Sequence, residues 1–275
     1  MSSFSPSTFG VIGLGRMAQA LLLPWMETGL VPATGVRALV ASEASAQRLR
    51  QQDPRLDVCV QAEPEAVAVW RSEVLLLAVK PQQLEAVAAA APQPVSADRP
   101  LLISVLAGVT LARLQRLFPG WQVVRAVPNT PALVRQGLTA LACGETLSAA
   151  QRSWLLQLFA QVGEVLELPE SHLDAFLALT SSGPAFVALV VEALADGAVA
   201  AGLPRQQALH LAQRTLAGTA ALLEQQQLHP AQLKDMVSSP GGTTIAGLRQ
   251  LEQAGVRSGL MEAVMAAAAR SRELA

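Results

Sequence analysis

The chain of 275 residues has no tyrosine, and this absence excludes one large class of reductases. Short-chain dehydrogenases take their proton donor from a Tyr-x-x-x-Lys pair, which cannot form here. Lysine and histidine are almost as scarce, at Lys80, Lys234, His172, His210 and His229. Because these residues have neither zinc-ligand nor H-E-x-x-H spacing, we predict that the chain has no metal centre.

Charged residues are also few, and apolar residues are correspondingly many. Only 15% of the residues are charged, the formal net charge is -1, and 51% are hydrophobic. Without a basic excess there is no electrostatic reason to expect nucleic acid or anionic lipid as a partner. The apolar share is larger than the surface of a monomer normally carries, so we expect a buried subunit interface.

Cysteine is limited to Cys59 and Cys143, which lie in separate strand-like segments without metal-ligand spacing. This usage is typical of a reducing compartment. The first ten residues carry no basic side chain before an apolar run, so we expect no secretory signal and a cytoplasmic location. The longest apolar stretch, 185–201, is interrupted by Glu192 and Asp196. This interruption predicts a buried helix and no membrane span.

Short apolar runs alternate with amphipathic stretches through the first part of the chain, which is typical of βαβ units and a parallel sheet. The predicted strands are 9–12, 38–41, 58–60, 74–78, 101–105, 123–126 and 139–142. Beyond about residue 168 the apolar residues recur at helical spacing instead. We therefore predict an α/β fold, with a Rossmann-type doubly wound domain at 1–167 followed by an all-helical domain at 168–275.

The stretch GVIGLGRMA at 10–18 places a G-x-G-x-x-A motif directly after the first predicted strand and before an apolar-periodic segment. Gly13 would permit the tight turn, Gly15 would let main-chain amides approach a pyrophosphate, and Ala18 would allow close helix-to-strand packing. We predict dinucleotide binding here. The expected contacts are Gly13, Leu14, Gly15, Arg16 and Met17.

The sequence leaves the choice between NADH and NADPH open. An acidic residue about 20 positions after the loop holds the ribose 2′-hydroxyl in NAD enzymes, and the second predicted strand is followed by Ser42 and Glu43. If Glu43 faces the ribose, it would repel a 2′-phosphate and favour NADH. If it points away, Ser42 and nearby Arg48 could accept NADPH. We predict Ser42 and Glu43 as cofactor contacts in either case.

A second unusual stretch, SSPGGTT at 238–244, interrupts a half of the chain that is otherwise rich in helix formers. Proline lacks a donor, and two glycines cost roughly 2 kcal/mol of helix propensity relative to alanine. The stretch would end one helix and open the next, 245–253. Free main-chain N–H groups and hydroxyls at that helix start would form an anion site that suits a carboxylate.

Seven stretches, taken together and in order, resemble the pyrroline-5-carboxylate reductase family. They are GVIGLGRMA at 10–18, LLLAVKPQ at 75–82, ISVLAGVTL at 103–111, VRAVPNTPALVRQG at 124–137, LTSSGPAF at 179–186, GLPRQQAL at 202–209 and LKDMVSSPGGTTIAGL at 233–248. The last is the most specific to the family. The resemblance implies reduction of 1-pyrroline-5-carboxylate to L-proline with NADPH or NADH, the last step of proline biosynthesis. It also implies a helical dimerisation domain, a homodimer with intertwined helical domains, and assembly of such dimers into decamers.

Similarity to the family points to Thr244 as the catalytic hydroxyl near the ring nitrogen. It also places Ser239, Gly242 and Thr243 on the carboxylate side of the substrate. The alternative is that Ser239, Thr243 and Thr244 are only helix-cap and turn residues. Met236 departs from the family pattern, because many relatives have a polar residue there.

The family resemblance also implies roles for four further residues, with less specific support. The resemblance puts Val79 and Lys80 beside the nicotinamide, although Lys80 could equally be a surface lysine. Asn129 could face the nicotinamide or close a turn. Glu170 lies where the family has an acidic substrate contact, but a solvated glutamate is the alternative. Two other readings remain: a β-hydroxyacid type dehydrogenase, which would need a lysine in a context unlike that of Lys234, and a dinucleotide-sensing protein without catalysis.

Overall fold

The computed structural model describes residues 4–92 and 99–274. Residue contacts divide the chain into two units, one running to Ser181 and resuming at Ala268, and the other spanning Ser182–Ala267. The predicted ranges 1–167 and 168–275 place the boundary earlier. Residues 168–181 belong to the first unit because Thr180 and Ser181 bond to the segment around Asn129. As a statement about domains, the predicted ranges stay a prediction.

The first unit is an α/β sandwich built on an eight-stranded sheet in the order β3-β2-β1-β4-β5-β6-β7-β8. The strands are β1 Phe9–Ile12, β2 Val36–Val40, β3 Asp57–Val60, β4 Val74–Leu77, β5 Leu101–Ser104, β6 Gln122–Val127, β7 Gly137–Cys143 and β8 Gly163–Glu167. The predicted α/β fold with a Rossmann-type sheet is confirmed, since β1 to β6 pair in parallel and the order reverses at β1.

Two features of the sheet differ from the sequence prediction. β7 pairs antiparallel with β6, because only nine residues separate them and a parallel crossover needs a dozen or more. β8, which the sequence did not indicate, pairs in parallel with β7 at the edge of the sheet. Its half-exposed sequence GEVLE lacks the continuous apolar run that marks the buried strands.

Helices cover both faces of this sheet. They are α1 Arg16–Glu27, α2 Glu43–Gln52, α3 Ala66–Trp70, α4 Leu84–Ala90, α5 Leu111–Leu117, α6 Ala149–Ala160 and α7 Leu173–Thr180. In β4 the alternating side chains Val74 and Leu76 join the core under α1, α2 and α6, whereas Leu75 and Leu77 join the core under α3, α4 and α5. Burial on both faces explains why these strands are apolar throughout.

The second unit is helical. It contains α8 Gly183–Ala200, α9 Arg205–Gln225, α10 Pro230–Met236, α11 Thr243–Gln253 and most of α12 Val256–Glu273. Its one cluster of buried residues consists of alanines, Ala195, Ala208 and Ala212, where α8 and α9 pack together. Many large apolar side chains are exposed, including Val187, Leu189, Leu194, Leu209, Leu211, Leu222, Ile245, Leu251, Leu260, Met261 and Met265. Helices with this little buried apolar surface need a further partner.

The apolar stretch at 185–201 was expected to be a buried helix. It forms most of α8, but within this chain only Ala195 of that helix is buried. By length and composition alone, the helical stretch Glu170–Ala200 would also be long and apolar enough to cross a membrane. That stretch carries Glu170, Asp174, Glu192 and Asp196, and it is divided where α7 ends at Thr180 and α8 begins at Gly183.

Candidate functional site

The predicted phosphate loop, residues 13–17, connects β1 to α1. Gly13 has φ +85°, and a Cβ there would lie 2.9 Å from both the Ala78 carbonyl oxygen and Val79 Cγ1. Gly15 is the N-cap of α1 and has no side-chain cap, and a Cβ built on it would meet no atom within 4 Å. The loop therefore needs glycine at 13 to turn. At 15 it leaves open space in front of the free N–H groups of α1, which fits a dinucleotide diphosphate.

The other residues of the phosphate loop differ in whether their side chains face the core or the solvent. Leu14 is buried and Met17 packs against the same core cluster, so these two can reach a cofactor only through their main chain. Arg16 is exposed at the first position of α1. Their predicted contacts with the cofactor stay predictions.

The adenosine end of the predicted cofactor site lies where β2 meets α2. Ser42 is the N-cap of α2, and its Oγ accepts a hydrogen bond from the Ser45 main-chain N at 3.3 Å. Glu43 is the first residue of α2, and its Oε1 lies 3.1 Å from Arg50 Nη1. The carboxylate is thus paired with Arg50, and its predicted contact with the cofactor stays a prediction.

Val79 and Lys80 follow β4, next to β1 in the sheet. Lys80 is exposed and forms no ion pair with the part of the chain that the structure describes. Its main-chain N–H donates a hydrogen bond to Gln83 Oε1 at 3.2 Å. Since β1, β2 and β4 are neighbours, the structure brings the phosphate loop, Ser42 and Val79 together at one edge of the sheet. That edge, at the carboxyl ends of the strands, is where cofactors bind in open α/β sheets.

Asn129 is 4% exposed and uses both ends of its amide within the first unit. Its Nδ2 donates to the Thr180 carbonyl oxygen at 3.0 Å, and its Oδ1 accepts from the Leu138 main-chain N at 2.8 Å. The side chain closes the loop around the short 3-10 helix Thr130–Val134. This is one of the two roles considered for Asn129, the other being a contact with the nicotinamide. A contact with the nicotinamide stays a prediction.

Glu170 is neither fully solvated nor free. Its Oε1 accepts from the Leu111 main-chain N at 2.6 Å and lies 3.1 Å from Arg125 Nη1. Arg125 belongs to β6 and is 2% exposed. Asp174 lies 3.9 Å from Arg125 Nη2 and accepts a hydrogen bond from Ser271 Oγ at 2.7 Å. The Glu170 carboxylate therefore anchors α5 and the entry to α7 on the sheet, and only Oε2 is left for a substrate.

Arg125 is the site residue that the sequence argument missed. The signal was present, because an arginine inside the strand sequence QVVRAV is a charge among residues expected to be buried. Nothing near it in the sequence identifies a partner, since Glu170 is 45 residues further on. Two of its nitrogens, Nε and Nη2, are buried and have no hydrogen-bond partner among the residues that the structure describes.

Four of the five predicted substrate residues, Ser239, Gly242, Thr243 and Thr244, lie together in the second unit, in the turn and helix start at 239–244, here called the Pro-Gly-Gly turn. The fifth, Glu170, belongs to the first unit. The Gly242 main-chain N donates to the Ser239 carbonyl oxygen at 3.0 Å, and Gly241 has φ +70°. With Pro240 before Gly241, these are the features of a type II turn. A Cβ at Gly242 would overlap Ser239 Oγ, so a larger residue there would require the Ser239 hydroxyl to rotate away.

The helix start itself is open. Gly242 is the N-cap of α11 and makes no side-chain cap, while Thr243 and Thr244 are the first two residues of the helix. Neither threonine hydroxyl nor Ser239 Oγ makes an N-cap hydrogen bond to α11. Ser239 does take part in the turn, so the alternative that these are turn residues stays open beside the predicted substrate contacts. The free N–H groups of a first helical turn, next to three hydroxyls, can bind a carboxylate. Met236 is exposed at the end of α10.

Within residues 4–92 and 99–274 there is no group of three His, Cys, Asp or Glu side chains able to hold a metal ion. Cys59 and Cys143 are both free, and both lie in strands. Burial raises the pKa of each thiol to about 11. Both are therefore protonated at neutral pH.

Comparisons with known proteins agree along nearly the whole chain. The family model described as pyrroline-5-carboxylate reductase dimerisation matches residues 170–274, and the model described as NADP oxidoreductase, coenzyme F420-dependent, matches residues 8–108. The pyrroline-5-carboxylate reductase of Synechocystis sp. is 46% identical over 266 residues, which cover 96% of this chain and 97% of that one. That of Glycine max is 40% identical over 267 residues, covering 97% and 96%.

A solved structure gives the same result for the fold. The crystal structure of the Plasmodium falciparum pyrroline carboxylate reductase with NADP bound is similar with a TM-score of 0.84, at 26% identity and with 97% of each chain covered. The relatives that are 46% and 40% identical over nearly the whole chain identify it as a member of the pyrroline-5-carboxylate reductase family.

Proposed function

We propose that this chain reduces 1-pyrroline-5-carboxylate to L-proline, with the carboxylate of the substrate held at the Pro-Gly-Gly turn. The class of activity is that of its family, an oxidoreductase that uses NAD(P)H. The observation that carries the residue assignment is the start of α11, which has no side-chain cap and follows a turn in which Gly241 has a positive φ.

The substrate carboxylate is assigned to the main-chain N–H groups of Thr243 and Thr244. These groups have no partner four residues earlier in a helix, and the positive end of the helix dipole favours an anion. Ser239 and Gly242 complete this side of the site: the Ser239 hydroxyl is exposed and Gly242 keeps the main chain accessible. A substrate with its acid group held here has a fixed orientation, which supports attack on one face of the ring.

When bound, NAD(P)H supplies the hydride that goes to C5 of the cyclic imine. The protein holds the cofactor through Gly13, Gly15 and the free N–H groups of α1, with Leu14, Arg16 and Met17 contributing main chain around the diphosphate. Val79 and Lys80, after β4, are assigned to the nicotinamide half, and Asn129 supports the adjoining loop.

The proton at the ring nitrogen needs no strong acid from the protein. An imine can be protonated by water, so a hydroxyl that donates or accepts a hydrogen bond is sufficient. We assign this role to Thr244 Oγ1, which is half-buried at the second position of α11. The new C–H bond forms at C5, the C=N double bond becomes single, and the nitrogen keeps the proton. Glu170 Oε2 stays a predicted second contact.

The exposed apolar side chains of the second unit support a homodimer. Its 86 residues, Ser182–Ala267, bury one small alanine cluster, so a second copy is the partner that would cover the rest. Assembly of dimers into a decamer is a prediction carried by the family resemblance. The absence of a nucleic-acid or membrane partner and a reducing, cytoplasmic compartment are likewise predictions from composition.

The test is a spectrophotometric assay of NADPH and NADH oxidation with 1-pyrroline-5-carboxylate, run beside its six-membered analogue. We expect substrate-dependent oxidation with formation of proline. Esterifying the substrate carboxylate removes the group assigned to the turn, so the ester is expected to raise KM strongly. No oxidation with either cofactor, or equal kinetics for acid and ester, would contradict the proposal.

A further inference from the structure

The Glu43 carboxylate is fixed by a side chain seven residues further along the same helix. Arg50 Nη1 lies 3.1 Å from Glu43 Oε1. Arg50 is itself held by strand β3, because its Nε and Nη2 donate to the Val58 carbonyl oxygen at 2.9 and 2.6 Å. Two hydrogen bonds therefore fix the Arg50 guanidinium on β3, and a third joins it to the Glu43 carboxylate.

This position matters for the choice of cofactor. In NAD enzymes with this fold, an acidic side chain after the second strand accepts hydrogen bonds from the ribose hydroxyls, and its charge repels a 2′-phosphate. Here β2 ends at Val40, and the acid is displaced to the first residue of α2. Arg50 pairs with Oε1 of that acid and so offsets part of its charge, which weakens both its attraction for a ribose hydroxyl and its repulsion of a 2′-phosphate.

The groups that remain at the start of α2 are donors. Ser42 Oγ and Ser45 Oγ lie 3.1 Å apart, and Arg48 is exposed one turn further on. Arg50 is not a second free cation, since its Nη2 also lies 3.6 Å from Glu63 Oε1. A 2′-phosphate would accept hydrogen bonds from the two hydroxyls, whereas the 2′-hydroxyl of NADH would find no carboxylate acceptor.

We infer that the Glu43–Arg50 ion pair makes this chain bind NADPH in preference to NADH, by withdrawing the acid that would otherwise select the unphosphorylated ribose. The inference rests on the proposed function for the cofactor itself, and it adds the residues that set the preference. Arg50 acts through Glu43 and is a positioning residue. Replacing Arg50 frees the carboxylate beside the phosphate.

The experiment measures equilibrium dissociation constants for NADPH and NADH by titration of the reduced-nicotinamide fluorescence, without substrate. The proteins are the unmodified chain, Arg50→Met, the double variant Arg50→Met with Glu43→Gln, and Arg55→Met. Arg55→Met is the matched control, because it breaks an ion pair with Asp53 just beyond the other end of α2. Thermal unfolding of each protein shows whether α2 stays folded.

The unmodified chain is expected to bind NADPH about tenfold or more tightly than NADH. Arg50→Met is expected to reduce that ratio by about tenfold, from the repulsion between a freed carboxylate and a phosphate dianion at an effective dielectric constant near 20. The double variant should restore the ratio, and Arg55→Met should leave it unchanged. A simple loss of folding in Arg50→Met would weaken both cofactors equally and would not be reversed by removing the acid.

The inference is overturned if the unmodified chain prefers NADH, if Arg50→Met leaves the ratio unchanged, or if the double variant fails to restore it. These outcomes are separate from failure of the proposed function. A protein that binds NADPH selectively but does not reduce 1-pyrroline-5-carboxylate would contradict the activity and keep the preference. A protein that reduces the substrate equally well with both cofactors, and binds them with equal affinity, would contradict the NADPH preference and keep the proposed activity.

Discussion

The guanidinium of Arg125, buried in β6, lies 3.1 Å from the carboxylate of Glu170 at the entry to α7. The pair is unequal, because the Arg125 side chain is 3% exposed whereas that of Glu170 is 31% exposed. Loss of Glu170 and loss of Arg125 are therefore expected to change the stability of the fold by different amounts. Arg125 cannot be solvated when left alone, but Glu170 can.

Glu170→Ala is expected to destabilise the first unit by about 2 to 3 kcal/mol, below the cost of breaking a fully buried pair because Glu170 is partly solvated. Arg125→Met removes the buried charge itself and should cost less, about 1 kcal/mol. Urea unfolding at one fixed protein concentration measures both. Glu167→Ala, which breaks the half-exposed pair with Arg152, is the control and should cost at most about 1 kcal/mol. Equal losses for Glu170→Ala and Arg125→Met would show that burial does not govern this pair.

Asn129→Ala separates the two roles considered for this residue. If the amide only closes the loop, the variant leaves the Leu138 N–H and the Thr180 carbonyl unpaired and loses about 3 kcal/mol of stability. The ratio of affinities for NADP⁺ and for its fragment lacking the nicotinamide ring should then stay constant. A selective loss of NADP⁺ affinity would instead indicate a direct contact with the nicotinamide. Isothermal titration with both ligands gives the ratio.

Thr244→Ala is expected to lower kcat/KM for 1-pyrroline-5-carboxylate by about 10² to 10³, the usual effect of removing one preorganised hydrogen-bond partner. Thr244→Ser keeps the hydroxyl and should retain most activity. Thr219→Ala, at an exposed position of α9, is the matched control for loss of a helical threonine. Steady-state kinetics decide the matter, and an unchanged kcat/KM in Thr244→Ala would remove this residue from the catalytic step.

The two cysteine thiols make stability depend on pH in an alkaline window. Burial raises the pKa of both Cys59 and Cys143 from 9.0 to about 11, so the folded chain keeps protons that the unfolded chain releases. This contribution to stability is fully present below pH 9 and is lost as the pH rises towards 11. The window is unusually clear, since the chain has no tyrosine and only two lysines to titrate there.

Chemical unfolding between pH 8 and pH 11 tests this expectation. The free energy of unfolding should fall across the window, and a variant with Cys59→Ala and Cys143→Ala should show a flatter profile. Native protein should also react slowly with iodoacetamide at pH 8, because the thiolate is the reactive form. Rapid alkylation without unfolding would contradict the burial of these thiols.

The strands that position the cofactor loop could be predicted to within two residues. They are buried on both faces, so their sequences are continuous apolar runs between turn signals. A run of this kind carries no information on direction, which is why β7 was expected to be parallel. β8 escaped prediction because one face and one edge are exposed, and GEVLE has the composition of a surface segment.

At the candidate site, the sequence indicated candidate residues but not the side chains of the same protein with which they pair. The motif predicted the tight turn at Gly13, where φ is positive, because a glycine requirement of this kind is local to the backbone. The direction of Glu43 depends on Arg50 and on a carbonyl of β3, and the environment of Glu170 depends on Arg125. Such partnerships between side chains far apart in the chain have no local sequence signal.

The path of the chain has a consequence for dissecting the protein. The first unit includes the residues from Ala268 on, where Ser271 donates to Asp174 and Leu274 lies against Gly108. In the order of the chain, the helical unit is thus an insertion into the first unit, which also includes the end of α12. A protein truncated after Ser181 would lack the residues from Ala268 on that belong to the first unit. Isolating that unit calls for excision of the insert and a short bridge from Ser181 to Ala268.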